Sequence, residues 1–436
     1  MLRKRIQLAL IHAAVAMTLV PINSTLNRIM IKELAISATL VAVLASLPYL
    51  FSPVQVAIGS YSDRHPLFGF RRTPYILIGL LLCVLGVILA PMAVFTIPEN
   101  LPLGLLYTAL TFGAWGMGYN LSAVTYLSLA SELSGEQGRS RTIAVMFFVM
   151  ILGIIATATT LSRLLETYTP QTLEQAFLYV ALVALALGLL GLVRLEPRAL
   201  RFSPNGHAQV NEERSTWRAQ IGAVIDNPQA RRFFLYLTIL LAAILGQDVL
   251  LEPFAAEAFD LPVTVTTRIT SIWGTAFLLS LAAANPLERW LPKRRVAQLG
   301  ALVAIAGFTL IAASGLAGVQ PVFYTGVVLL GLGTGLATVS NLSLMLDMTT
   351  TQVGLYMGAW GIANAMSRLI GNVLGGVVRD TITFLTQNPV AGYVFVFVIE
   401  AGLLVISLLI LRSIDVGTFR RQAEISLTDR VAMLND

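Results

Sequence analysis

The stretch that decides the fold reads Gly59-Ser-Tyr-Ser-Asp63-Arg64-His-Pro-Leu-Phe-Gly69-Phe-Arg71-Arg72, a short basic turn between two apolar runs. Ser37 to Ala57 before it and Thr73 to Thr96 after it contain no Asp, Glu, Lys or Arg. At ~1.5 Å rise per residue, about twenty residues of helix cover the roughly 30 Å of a bilayer's hydrocarbon core. The turn therefore joins two membrane spans. Its arginines place it in the cytoplasm, because short loops rich in Lys and Arg are retained there.

The rest of the chain agrees. Of its 436 residues 56% are hydrophobic and 12% charged, with a mean hydropathy of +0.78, which excludes an ordinary water-soluble fold and makes this a polytopic membrane protein. The single cysteine, Cys83, lies inside an apolar run, so the sequence offers no disulfide framework, no thiolate metal cluster and no Cys-based redox pair. The net charge of +6 comes from positives that flank apolar runs, as topology and anionic lipid demand; nucleic-acid binding drops out. Met1-Leu-Arg-Lys-Arg5 opens like a signal peptide, but the apolar segment is too long and has no small-residue cleavage site before Asn27-Arg28. It reads as a retained first span.

Apolar runs bounded by charge or by Pro/Gly turns number twelve, at about 7–30, 37–58, 73–96, 101–129, 142–164, 175–194, 233–254, 264–287, 296–317, 321–346, 354–378 and 391–412. With the N-terminus in the cytoplasm, the 29 Lys and Arg residues divide unevenly. Only Arg28, Lys32, Arg163, Arg268 and Arg379 fall on the far side, and Arg368 falls inside a run. That asymmetry favours an even number of spans with both termini inside. Internal echoes suggest two halves. Gly116-Met-Gly118 with Leu127-Ser-Leu-Ala-Ser-Glu132 matches Gly331-Leu-Gly333 with Leu342-Ser-Leu-Met-Leu-Asp347. Asp63-Arg64 and Arg71-Arg72 are answered by Glu288-Arg289 and Arg294-Arg295. The expected organisation is a six-helix half over 1–194, a cytoplasmic linker over 195–232, a second six-helix half over 233–412 and a cytoplasmic tail over 413–436. Within the linker Trp217, Ile221, Val224 and Ile225 share one helical face, which predicts a short amphipathic helix on the membrane surface or a partner-binding face.

Charged groups inside hydrocarbon are costly and are functional candidates by default. Arg368 and Glu400 fall at similar depth near the midplane, and a buried ion pair is the economical reading. On the seventh run Gln247, Asp248 and Glu252 cluster, and the i, i+4 spacing puts both carboxylates on one helical face. They are candidate proton or cation sites, or a solvated helix end paired with Arg268. The first run carries His12, Asn23, Ser24, Thr25, Asn27 and Arg28, with Pro21 available to kink it. The eleventh carries Gly358-Ala-Trp360-Gly-Ile-Ala-Asn364-Ala-Met-Ser367-Arg368 and Gly371 to Gly376, small residues that let helices approach closely. No phosphate loop, Cys/His zinc spacing or Gly-x-Ser-x-Gly elbow is present in the sequence, so no enzyme signature appears.

Gly59, Asp63, Arg64, Gly69, Arg71 and Arg72 resemble the signature between helices 2 and 3 of major facilitator superfamily transporters. Four residues, His65 to Phe68, stand here between Arg64 and Gly69, where the common form has one. The resemblance implies an all-α polytopic fold of twelve transmembrane helices in two six-helix halves, with Asp63 bracing the start of span 11 and Arg64, Arg71, Arg72 and Glu132 completing a charge network. The chain is further similar to the PucC/LhaA group through Thr25-Leu-Asn27-Arg28-Ile-Met30 with Glu33-Leu34, Leu47-Pro48, Phe51-Ser-Pro53, Gly69-Phe-Arg-Arg-Thr-Pro-Tyr75 and the Gly358 to Gly376 run. That group is the bacteriochlorophyll-delivery branch of the superfamily. It implies a non-enzymatic assembly factor in a photosynthetic membrane, thylakoid or bacterial, which handles chlorophyll or bacteriochlorophyll as bound pigment or cargo. Implied partners are light-harvesting or photosystem polypeptides and pigment-biosynthesis or assembly proteins. Under that reading His12 is a candidate ligand for chlorin magnesium, and Trp115 and Trp360 border a lateral lipid-facing groove. Two rival readings stay open: a proton-coupled transporter of a small solute using Asp248 and Glu252, and a pigment-free scaffold for antenna assembly.

Overall fold

The computed structural model describes residues 2–52, 54, 61–62, 65–197, 228–348 and 353–414. Gly59, Asp63 and Arg64, the Trp217 to Ile225 stretch and nearly all of the tail lie outside the described residues. Among those described, every regular element is a helix: α1 (Leu2–Met17), α2 (Ala38–Leu50), α3 (Thr73–Glu99), α4 (Leu101–Leu164), α5 (Pro170–Leu192), α6 (Pro228–Gly246), α7 (Leu251–Phe259), α8 (Val263–Trp290), α9 (Lys293–Ala317), α10 (Gln320–Met348), α11 (Val353–Thr386) and α12 (Pro389–Arg412). Their starts follow from local chemistry. Ser37 and Asn100 accept from amides of the first turns of α2 and α4. Thr169 and Thr172 form a capping box ahead of α5, and Asn388 caps α12, each with Pro at the first helical position.

Among the described residues, eight segments are long and apolar enough to cross a membrane. Of the other runs, α2 spans 13 residues, and α8, α11 and the first limb of α4 are diluted by Gly, Thr and other weakly polar residues. The twelve expected runs thus map onto eight clear spans and four shorter or more polar helices.

Two runs differ from expectation in their joints. The fourth and fifth runs form two helices, the two limbs of α4, joined without an extended loop at Gly135 with φ 62° and ψ 173°. The chain reverses there, because Tyr126 and Phe147 both pack within 5.0 Å of the His12 ring. On a straight helix those two residues would stand about 30 Å apart. Only glycine takes this positive φ without strain. In the first run, Pro21 has no N–H to give. The helix answers by widening, running on through π-helical turns at Pro21–Leu26 and Ile29–Glu33.

The packing repeats. In the first half α1 packs on α4 and α5, α3 on α4 and α5, and α2 on α4. In the second, α6 packs on α11 and α12, α9 on α10 and α12, and α8 on α10. The echo seen in sequence has a physical cause: a Cβ on Gly79 of α3 would meet the Gly118 carbonyl of α4 at 2.7 Å, and one on Gly300 of α9 would meet that of Gly333 of α10 at 2.9 Å. Each close crossing requires the paired glycines. The halves meet where α2 packs on α11 and α8 on α4.

Candidate functional site

Polar groups between the halves gather toward one end of the bundle, the end marked by Arg28. The π turns of the first helix present Ser24, Thr25 and Arg28 to the second half. The Ser24 hydroxyl donates to Glu252, which also accepts from Thr270 at 2.7 Å, and Ser24 and Thr270 lie 3.3 Å apart. Thr25 meets Thr267 at 3.3 Å. Arg28, buried, pairs with Glu33 and donates to the Leu261 carbonyl at 3.1 Å. Lys32 reaches Glu257 at 3.5 Å. Asn27 turns inward on its own helix and donates to the Asn23 carbonyl.

The two acids of the seventh run do not share a face. A 3-10 turn, Gln247–Val249, separates α6 from α7 and replaces the regular i, i+4 relation. Asp248 points to α11 and takes Arg368 at 2.5 Å, whose guanidinium sits 5.7 Å over the Tyr49 ring. Glu252, 4% exposed, faces α8 and the first helix. Neither meets Arg268, which is exposed. The expected Arg368–Glu400 pair is likewise corrected, since Arg368 pairs with Asp248 while Glu400, 4% exposed, lies against the crossing of Gly246 and Gly371. The two residues match in depth but sit on different faces of the helix cluster.

At the opposite end, the described part of the basic turn carries Gly69 at φ +78°, and Arg72 is 2% exposed. Its guanidinium holds Glu132 at 2.9 Å and Ser62 at 2.7 Å. Sequence reasoning missed Glu196. This residue accepts from the backbone amides of Arg71, Arg72 and Thr73 at 2.7–3.2 Å and from the Thr73 hydroxyl at 2.7 Å, capping α3. The bare start of α3, where a carboxylate is favoured by the helix dipole, was the available signal. Asp380 was missed too. From α11 it accepts from the amides of Ala38 and Thr39 at 3.2 and 2.8 Å and from the Thr39 hydroxyl at 2.7 Å, so one half caps α2 of the other. Its neighbour Arg379 binds Asp380 at 2.9 Å and lies 4.8 Å over the Tyr393 ring.

His12 is buried against Tyr126 and Phe147. Trp115 does not border the lipid face. It is 1% exposed and donates to the Thr18 hydroxyl at 3.0 Å, because Gly86 lets α3 close over it and the indole N–H needs a buried acceptor. Trp360 is half-buried, and Asn364 donates to its carbonyl at 3.3 Å.

The architecture has solved counterparts. A nucleoside transporter, NupG, superposes with a TM-score of 0.72 at 15% identity, over 94% of this chain and 99% of that one. A bacterial homologue of the human lysosomal transporter Spinster, in an inward-facing and unoccupied conformation, gives 0.71 at 13% identity, over 94% and 97%. These likenesses show the major facilitator fold. Protein PucC of Rhodovulum sulfidophilum is 31% identical over 393 residues, 87% of this chain and 86% of that protein. Protein PucC of Cereibacter sphaeroides is 30% identical over 427 residues, 94% and 91%. A Rhodobacter capsulatus protein named bacteriochlorophyll synthase 44.5 kDa chain is 27% identical over 403 residues, 89% and 90%. The family described as PUCC protein matches residues 25–419, from the π turns of the first helix to beyond the end of α12, and the chain belongs to that family.

Proposed function

We propose that this integral membrane protein is an assembly factor that holds (bacterio)chlorophyll and passes it to light-harvesting or photosystem polypeptides, with no covalent chemistry of its own. The observation that carries the reading is the reach of the family match, residues 25–419. It takes in every helix from α2 to α12 and, Ser24 apart, the polar groups that join the halves at the Arg28 end, instead of one shared motif. A relative named as a bacteriochlorophyll synthase chain supports the same pigment class. Both termini lie in the cytoplasm, which cysteines placed at Asn205 and Gly318 would test by labelling from opposite sides of sealed membranes. The one native thiol, Cys83, is buried and gives little background.

A second reading, a proton-coupled carrier, draws on Asp248 and Arg368, whose side chains stay 27% and 32% exposed near the middle of the bundle, and on Glu252 at the junction of the halves. The protein purified in mild detergent from its host separates the readings by its absorption spectrum, with antenna polypeptides probed in the same sample. Stoichiometric chlorin with antenna subunits is the expected outcome. Antenna subunits without chlorin favour a scaffold. A colourless protein whose deletion leaves antenna levels intact, and which moves a solute in liposomes only while Asp248 and Glu252 are present, favours the carrier.

A further inference from the structure

The halves meet along two seams, and the seams are built differently. On one side α2 meets α11. There Asp380 accepts from the Ala38 and Thr39 amides at 3.2 and 2.8 Å, and Asn372 donates to Ser46 at 3.2 Å. The backbones touch, since a Cβ on Gly376 would meet the Ala38 carbonyl at 2.8 Å. On the other side the second limb of α4, Arg141–Leu164, meets α8. Among the described residues only hydroxyls bond across this seam. Ser162 donates to the Thr264 carbonyl at 2.7 Å, Thr159 and Ser271 lie 3.0 Å apart, and Ser271 donates to the Ile155 carbonyl at 3.2 Å. A Cβ on Gly274 would meet the Ile155 side chain at 3.1 Å and no backbone atom.

Parting the two seams costs different things. Ser and Thr in a helix can return their hydroxyl to the carbonyl four residues back, and Thr159 already donates to that of Ile155 at 2.8 Å. The α4–α8 seam can therefore open to lipid without stranding a polar group. Opening the α2–α11 seam would strand the Asp380 carboxylate and the first amides of α2. Next to Gly274 on α8, Trp273 stacks on Phe277 with ring centroids 5.2 Å apart and planes at 21°. Its indole N–H is buried and meets no acceptor among the described residues. A buried indole N–H ordinarily has a partner. An acceptor missing one residue from the seam points to a ligand with a carbonyl and a flat face.

We propose that the α4–α8 seam is a lateral port through which a flat, carbonyl-bearing pigment dissolved in the bilayer enters between the halves, with Trp273 donating to its carbonyl. This inference rests on the pigment reading above and adds the route. The seam is closed in this structure, and entry requires its hydroxyl contacts to part while the α2–α11 side stays pinned. Cargo that travels this way never leaves the membrane. The Trp273 hydrogen bond adds about threefold to retention, the worth of an average interhelical bond in a membrane.

The test uses the full chain in vesicles of a single phosphatidylcholine with chlorophyll a dissolved in the bilayer, and follows uptake by pigment fluorescence anisotropy. Thr159→Cys with Ser271→Cys, oxidised to a disulfide across the seam, is expected to stop uptake, and reductant to restore it. Cys83, buried on α3, stays out of that exchange. Thr159→Val with Ser271→Ala removes the hydroxyl bond between the two helices and is expected to speed uptake about threefold. Trp273→Phe keeps the ring, and is expected to leave the rate unchanged and weaken retention about threefold. Equal uptake by the oxidised and reduced pair overturns the port and leaves the pigment reading standing. No uptake by wild type overturns the pigment reading and the port with it. A rate unchanged in Thr159→Val with Ser271→Ala, or retention unchanged in Trp273→Phe, also overturns the assignment.

Discussion

Asp248 and Glu252 stand four residues apart on one membrane segment, yet they do opposite things. Asp248 closes an ion pair with Arg368, inside its own half and partly open to solvent. Glu252 is sealed, takes hydroxyls instead of a cation, and one of them, Ser24, belongs to the other half. If the halves rock, the first pair travels intact and the second contact must break. The 3-10 turn at Gln247–Val249 makes this division, because it turns α7 away from the face that α6 presents.

The contrast can be broken at either acid. The largest effect is expected from Arg368→Leu, which strands the Asp248 carboxylate and should cost about 2–3 kcal/mol, below the figure for fully buried pairs because this one is part open. Thermal unfolding in mild detergent reads it, and adding Asp248→Asn should restore most of the loss; a single variant as stable as wild type would show that the pair is ornamental. Next comes Asp380→Ala, which strips the cap that crosses between the halves and should cost about 1–2 kcal/mol by the same assay. Asp380→Asn, which keeps an acceptor, should cost less. Ser24→Ala sharpens the comparison more than it destabilises. It should cost about 1 kcal/mol and raise the labelling of a cysteine placed at buried Thr267, since the contact it weakens holds the Arg28 end shut; unchanged labelling would dissociate Glu252 from opening. The smallest effect is expected from Glu132→Gln, about 0.5 kcal/mol, because Glu132 is 41% exposed and Arg72 keeps Ser62.

These two acids also mark where sequence reasoning stops. The charge-free runs, the loop signature and the glycine echoes fixed the fold class early, because span length and paired glycines act through the bilayer and the backbone, which every residue of a run reports. Depth was legible as well: Arg368 and Glu400 do lie at similar levels on neighbouring helices. Azimuth was not. Arg368 turns to Asp248 and Glu400 to the Gly246–Gly371 crossing because of how α6 breaks, and a single 3-10 turn leaves no periodic trace in apolar sequence. Trp115 failed for a related reason, since Gly86 opposite it is as compatible with a groove as with a close crossing. Glu196 and Asp380 were hidden by separation, each capping a helix more than 100 residues away.

The Asp380 cap has a consequence in time. The amides of Ala38 and Thr39 find their acceptor 342 and 341 residues later in the chain. At roughly 5–20 residues per second of synthesis, that acceptor is made about 20–70 s after the amides it binds. Throughout that interval α2 sits in the membrane with its first turn held by Ser37 alone among these partners, so the first half completes its own helix boundary only once the second half has been delivered.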